Sequence, residues 1–413
     1  MEWSFDLNRR EFLWGMGTLS SMALLGGVSF ALETKPMSAG PKNVVVGAGW
    51  LPKGNTSYSL FKAVVEKATD FSWLGQGKSV LVKLALNSGV QYPMTTDPWA
   101  LDCLLKVLKE HGAGKIYVGD QSGARNVYWT AQGQVRGSTK AFMQSTGLLP
   151  VIERNGATAV CFEERGYDAY IKGVPAGESH WKEPIRITDF VNEVDNIVYL
   201  PRLGSHGIAD YTCALKIGVG FLREDSRRIF HQGGANYYPM YEEINEVPEI
   251  KSKLRLSVCT GRLVMSLMGP DAGYVVEPES APVFASENIL AHDLFAYAYL
   301  QYCRENLTPK DAADPKILNS LPIKADTMWE VTKKRAELNR AFLKYVWSLP
   351  ADQVPELPVF QPGDIYKHPA ILNYIKLNQQ QDLKFSVAEV NKNTDLNSRQ
   401  YLNRTLKVSK VRV

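Results

Sequence analysis

The sequence predicts an α/β fold: a mostly parallel sheet covered by helices on both faces, with an appended helical C-terminal region. Two observations carry this expectation. Short runs that are apolar throughout alternate with segments of helical period, as strands buried on both faces do. From about Asp326 onward, apolar residues recur at helical spacing without further strand-like runs.

The elements follow in order. "KNVVV", 42–46, reads as a short buried strand. Ser57 to Ala68 reads as a helix, because Leu60, Phe61, Val64, Val65 and Ala68 share a face. "SVLVKLAL", 79–86, is a continuous strand. Asp97 and Pro98 then supply an N-cap and a first helical residue, and Gly112 ends that helix after His111. "KIYVGD", 115–120, is the next strand. Further strands are expected at 157–162, 196–201, 254–259 and 281–286, with a helix capped by Ser286, helped by Glu287, and running to about Cys303. "DYTCALKIGVG", 210–220, reads as a helix with Asp210 near its start. Trp329, Val331, Leu338, Phe342, Val346 and Trp347 mark a C-terminal helical segment, and Pro369 to Leu377 a short helix. The final residues are polar and Asn-rich and read as a tail. The expected division is 1–39, an export signal; 40–310, the α/β domain; 311–385, a helical extension; and 386–413, a polar tail.

The chain has 413 residues with 45% hydrophobic content, enough to bury a core without disulfides. A net charge of +4 is small for this length, and no basic stripe with interleaved aromatics appears. Nucleic acid is therefore not an expected partner. The basic clusters at Lys251, Lys253 and Arg255 and at Lys333, Lys334 and Arg335 read as solvated faces. Cys103, Cys161, Cys213, Cys259 and Cys303 are widely spaced, with no C-x-x-C. That argues against a zinc ribbon or a ferredoxin-type iron–sulfur cluster.

The N-terminus has the form of a twin-arginine export signal. Arg9-Arg10 precede Phe12 and Leu13, and a Gly- and Ser-rich apolar run extends to about Leu32. Trp14 stands where a lysine is common. The run is short and soft for a membrane anchor, so cleavage after Ala31 or Ala39 is expected, leaving no stable anchor. The protein is then periplasmic or otherwise extracytoplasmic, with the twin-arginine machinery as a partner. That route carries folded proteins, so a cofactor is allowed but not required.

In parallel α/β sheets, ligands collect beyond the C-terminal ends of the strands. Lys83 lies near one such end and Asp120 at another. Lys83 is expensive to bury unless paired or solvated, and Asp120 can pair with it, hold a metal or orient a hydroxyl. A third end delivers Pro201, Arg202, Gly204, Ser205 and His206. Lys216 follows in an apolar run, and "FLREDSRRIFHQ" adds His231. His292 and Asp293 are neighbours on a predicted helix, about 100° apart, so only one is expected to face inward. His206, His231, His292 and Asp293 are the candidate ligands for a divalent metal, although no spacing among them matches a metal motif. Lys83, Asp120, His206 and Lys216 are the candidate catalytic set. No G-x-S-x-G is present, which argues against an α/β-hydrolase.

The blocks "VLVKLALN", "DPWALDCLLKVLKEHGAGKIYVGDQSG", "LPRLGSHGIADYTCALKIGVG", "IFHQ" and "GPDAGYVVEPESAPVFASENILAHDLFAYAYL" occur in the order seen in the domain-of-unknown-function 362 family, which this chain resembles over roughly 44–305. By position, Lys83, Asp120, His206, Lys216, His231, Gly269, Gly273 and Asp293 match the family's recurrent blocks. Many members carry a ferredoxin-like iron–sulfur module, from which redox roles are inferred. This chain lacks the cluster cysteines, and Gly204-Ser205-His206 replaces the family's usual Lys-Thr-His.

Several cations around one cleft suit a small anionic ligand such as a carboxylate or phosphate. The expected function is an exported enzyme acting on such a ligand, with metal assistance as an option. His206 or His231 would serve as acid/base or ligand, and Lys83 and Lys216 would neutralise charge. A non-catalytic binding or assembly protein and a redox accessory protein are the alternatives.

Overall fold

The central sheet has eight strands: β1 (Val44–Pro52), β2 (Val80–Leu84), β3 (Ile116–Asp120), β4 (Thr158–Cys161), β5 (Asn196–Leu200), β6 (Leu254–Thr260), β7 (Ser280–Ser286) and β8 (Phe385–Glu389). Their spatial order is β8-β1-β7-β6-β5-β2-β3-β4. Only β7 runs antiparallel to its neighbours; every other pairing is parallel. The mostly parallel sheet read from the apolar runs is therefore the observed one. This is a computed structural model describing residues 44–75, 77–311 and 327–406. The export-signal reading of residues 1–39 lies outside them.

Both faces of the sheet are covered. Val80, Val82 and Leu84 of β2 join one apolar cluster, with α1 (Tyr58–Ala68), α2 (Pro98–Glu110) and α3 (Leu148–Arg154). Leu81 points the other way, into a cluster with Tyr199, Phe221 and Tyr297. The period of two in a strand dictates this split and puts Lys83 on the second face. Local signals set the helix ends. Ser57 caps α1 by accepting from the Leu60 N–H, and Asp97 caps α2 by accepting from Trp99.

The chain order creates a gap at the top of the sheet. From β2 it steps outward to β3 and β4, then returns to lay β5 on the other side of β2. At such a reversal the connections leave adjacent strand ends in opposite directions, opening a crevice between them.

Four sequence readings are corrected. Residues 210–220 are not one helix: Asp210–Thr212 is a strand, followed by α4 (Ala214–Ile217) and a 3-10 turn, Gly218–Phe221. Asp210 sits at φ +70°, which no helix accommodates. α5 (Glu224–His231) comes next. α6 (Ile289–Asn306) is capped by Asn288, which accepts from Ala291, while Ser286 closes β7. On α6 both His292 and Asp293 are fully buried, because that helix is packed all round for most of its length.

The fourth correction concerns the end of the chain. α7 (Arg335–Trp347) and α8 (Pro369–Leu377) are helical as expected and belong to the same compact unit as the sheet. Arg335 is buried and donates to Asp210 at 2.7 Å, so it is not part of a solvated basic face as the cluster read, and His368 meets the Ala209 carbonyl at 3.2 Å. Residues beyond 385 are not a free tail: β8 pairs with β1, and α9 (Leu396–Leu406) packs Tyr401 and Leu402 into the core. Spaced apolar residues among the asparagines suffice to bury one side. Among the described residues, no helix is long and apolar enough to cross a membrane.

Candidate functional site

A cavity of about 80 Å³ opens at the crevice where β2 and β5 diverge. Its walls come from the ends of β2 and β3, from Arg202 just past β5, from His206 and Thr212, from Lys216, Ile217, Val219 and Gly220, and from Arg227 on α5. The space admits several water-sized groups, since one such group needs about 10–15 Å³.

Lys83 and Asp120 form the floor. Lys83 pairs with Gly119 in the β2–β3 register, which places Asp120 one residue beyond it on the neighbouring strand. The Lys83 Nζ donates to Asp120 Oδ1 at 2.6 Å and to the Leu84 carbonyl at 2.8 Å. Asp120 also accepts from the backbone N–H of Leu86 and Gln121. Burial pushes the lysine down and the carboxyl up, and each opposes the other's shift through its charge. The turn at Gly220 closes over this pair. A Cβ there would lie 2.0 Å from Asp120 Oδ1 and 2.2 Å from Lys83 Nζ, so only glycine fits.

Three more cations line the walls. Arg227 is 2% exposed and donates to three backbone carbonyls, those of Leu222, Ser122 and Gln121. Carbonyls hold the guanidinium in place without cancelling its charge. Arg202 is 3% exposed and has one long contact, 3.5 Å to the Pro93 carbonyl. Burial lowers it to about 10, opposed by Asp271. The Lys216 ammonium has no hydrogen-bonded acceptor among the described residues; it lies 6.0 Å from the Tyr241 ring centre. Burial first, then Arg202 and Arg227, bring it down to about 7. Asp120 is the only carboxylate in the wall, and it is committed to Lys83. Asp271 stands just outside, held by the Asn87 amide at 2.5 Å.

His206 has a fixed tautomer. Its Nδ1 accepts from the backbone N–H of Ile208 and Ala209, both at 3.2 Å, so the proton sits on Nε2. Burial, reinforced by Lys216 and Arg202, holds the ring well below its ordinary pKa and therefore neutral. A neutral imidazole with Nε2–H is a hydrogen-bond donor to the cavity.

Lys83, Asp120, His206 and Lys216 thus all line one cavity. The four residues picked as metal ligands are not brought together. His231 donates from Nδ1 to the Arg227 carbonyl at 2.7 Å, boxed by Phe230, Phe342 and Trp347. Burial lowers it to about 3. His292 and Asp293 lie with Cys213 in a sealed cluster, the one grouping of metal-ligand type among the described residues. There Asp293 already accepts from the N–H groups of Ala214 and Leu215 and from the Tyr211 hydroxyl. Asp210 is also outside the cavity, bound to Arg304, Arg335 and the Tyr297 hydroxyl.

Arg202 and Arg227 were not in the expected set. Arg202 carried a readable signal, two residues past a buried strand. Arg227 did not: it reaches the cavity only through the placement of α5.

The model of the family described as a domain of unknown function (DUF362) matches residues 80–298, more than half of the chain. The chain belongs to this family. Every strand of the cavity floor lies within the matched span, as do all its wall residues. No curated protein matches the chain in sequence. Among solved structures, it is similar to a lactate racemase apoprotein from Thermoanaerobacterium thermosaccharolyticum, at 13% identity and a TM-score of 0.42, covering 87% of this chain and 85% of the other. A protein from Thermotoga maritima is similar at 14% identity and a TM-score of 0.39, covering 86% and 92%.

Proposed function

We propose that this family member is an enzyme acting on a small anionic molecule, a carboxylate or phosphate, bound in the cavity at the β2–β5 crevice. One observation carries the reading: four cationic side chains line the wall with a single carboxylate, already paired. Burying such an excess without a counterion is costly, and a bound anion relieves the cost.

The roles follow from each group's surroundings. Arg202 and Arg227 bind the anion's charge, and Lys83–Asp120 holds the floor rigid. His206, neutral and protonated on Nε2, donates to a ligand oxygen. Lys216 exchanges a proton near neutral pH, the range in which a general acid or base works best. This differs from the sequence reading, which gave proton transfer to a histidine and charge neutralisation to Lys216. The cavity's donors do not fit a divalent metal, because three unpaired cations repel it and the one carboxylate is occupied.

The test follows proton exchange and conversion of small 2-substituted carboxylates and phosphate esters by NMR in deuterated water. Turnover in wild type, reduced at least a hundredfold in Lys216→Met with a pH profile that inflects near 7, supports the reading. Binding without exchange in wild type removes the catalytic half and leaves a ligand-binding protein. Export is proposed separately, on Arg9-Arg10 and the soft apolar run. Fusing residues 1–39 to a folded reporter checks it: loss of export in the Arg9→Lys, Arg10→Lys double variant is expected.

A further inference from the structure

Beside the cationic cavity lies a second, of about 570 Å³, within the size range of small-molecule sites. The two share Pro270 as a wall. The Asn87–Asp271 hydrogen bond crosses between them, since Asn87 lines the first and Asp271 the second. His206 lines the first cavity, and the next residues, Gly207 and Ile208, line the second.

The larger cavity has a different chemistry. One side is a stripe of α7: Leu338, Ala341, Phe342, Tyr345 and Val346, spaced so that all lie on one helical face. The helix meets the core through Arg335, Asn339 and Leu343, and Leu338 and Phe342 of the stripe are half-buried against it. Among the described residues of the stripe, Tyr345 is the one left exposed. Tyr345 is 80% exposed, a poor place for an aromatic ring without a ligand or partner. Arg125, Arg136 and Asp271 also line it.

We infer that the ligand is amphipathic: an anionic head in the cationic cavity, joined to an apolar tail of a short acyl chain or single ring that lies along the α7 stripe. The volumes divide the molecule, since about 80 Å³ takes a carboxylate or phosphate and about 570 Å³ takes the rest. This inference rests on the proposed anion site and names its substrate class.

The test titrates the full chain with phosphate, then with straight-chain carboxylates from acetate to octanoate, by calorimetry. Affinity should rise about threefold or more for each methylene that becomes buried. Ala341→Trp, which intrudes on the α7 stripe, should leave phosphate affinity unchanged and reduce the gain of octanoate over acetate. Val346→Gln, which keeps the net charge, is the second variant and should do the same if Ala341→Trp fails to fold. Equal affinity for acetate and octanoate in wild type would overturn the inference while sparing the anion site. So would a chain-length effect that neither variant reduces. Failure of phosphate and acetate alike to bind would instead refute the underlying anion site.

Discussion

Two buried groups of titratable side chains in this protein are built from similar residue types and end differently. Around Asp293, the bonds of the carboxylate are made inside the protein: with two backbone N–H groups at the start of α4, the Tyr211 hydroxyl and His292 Nδ1. Around the β2–β5 crevice, Arg202 and Lys216 form no ion pair, with Asp271 acting on them only from outside the wall, and His206 keeps Nε2–H for the cavity. A polar group whose bonds close on the protein serves the fold. One whose bonds are left open at strand ends is available to a ligand. The contrast predicts that substitutions in the first region act on stability and those in the second on binding.

The largest expected effect is in the sealed cluster. Asp293→Ala strands two amides and a hydroxyl in the core and should cost about 3 kcal/mol, read from urea unfolding. A loss under about 1 kcal/mol would show that water or a neighbour replaces the carboxylate, and would blur the contrast.

The next effect is a pH dependence. Lys216 titrates near 7 in the folded protein against an ordinary value of 10.5. Between these values the unfolded chain holds more protons, so this group makes stability rise with pH from about 7 to about 10. Below 7 both states are protonated and the contribution is at its least favourable. The measurable quantity is the difference between wild type and Lys216→Met across pH 6 to 9.5, which removes other titrating groups. A bound anion should flatten the slope, because it keeps Lys216 charged, and anion affinity should fall above pH 7. A pH-independent difference would mean that Lys216 already has a counter-charge.

The smallest effect sharpens the division. His292→Gln should cost about 1 kcal/mol of stability and leave anion affinity within twofold in calorimetry. A large change in affinity would tie the two regions together.

Much of this was legible in the sequence, and for physical reasons. The parallel sheet showed because β2, β3 and β5 are apolar on both faces, and α2 because Asp97 and Pro98 mark its start. Lys83 and Asp120 stood out as charges at the ends of buried strands. What stayed hidden depends on long-range placement. Arg227 needs α5 to fold back over the β3 end. The 100° between His292 and Asp293 lets only one face inward until α6 is seen to be buried nearly all round. Asp210 looks like a cap until α7, far along the chain, brings Arg335 to it. The ordered C-terminal strand and helix hide in a polar, Asn-rich composition, where a few spaced apolar residues decide the packing.

The most direct test of the central claim is calorimetric titration of inorganic phosphate and acetate into wild type and Arg202→Met, with unfolding curves for both. One-to-one binding in wild type is expected, weakened at least tenfold in the variant, whose stability stays within about 1 kcal/mol or rises as a buried unpaired cation is removed. Equal affinity in the two proteins, or a variant that loses stability as Asp293→Ala does, would contradict the account and make Arg202 a structural residue.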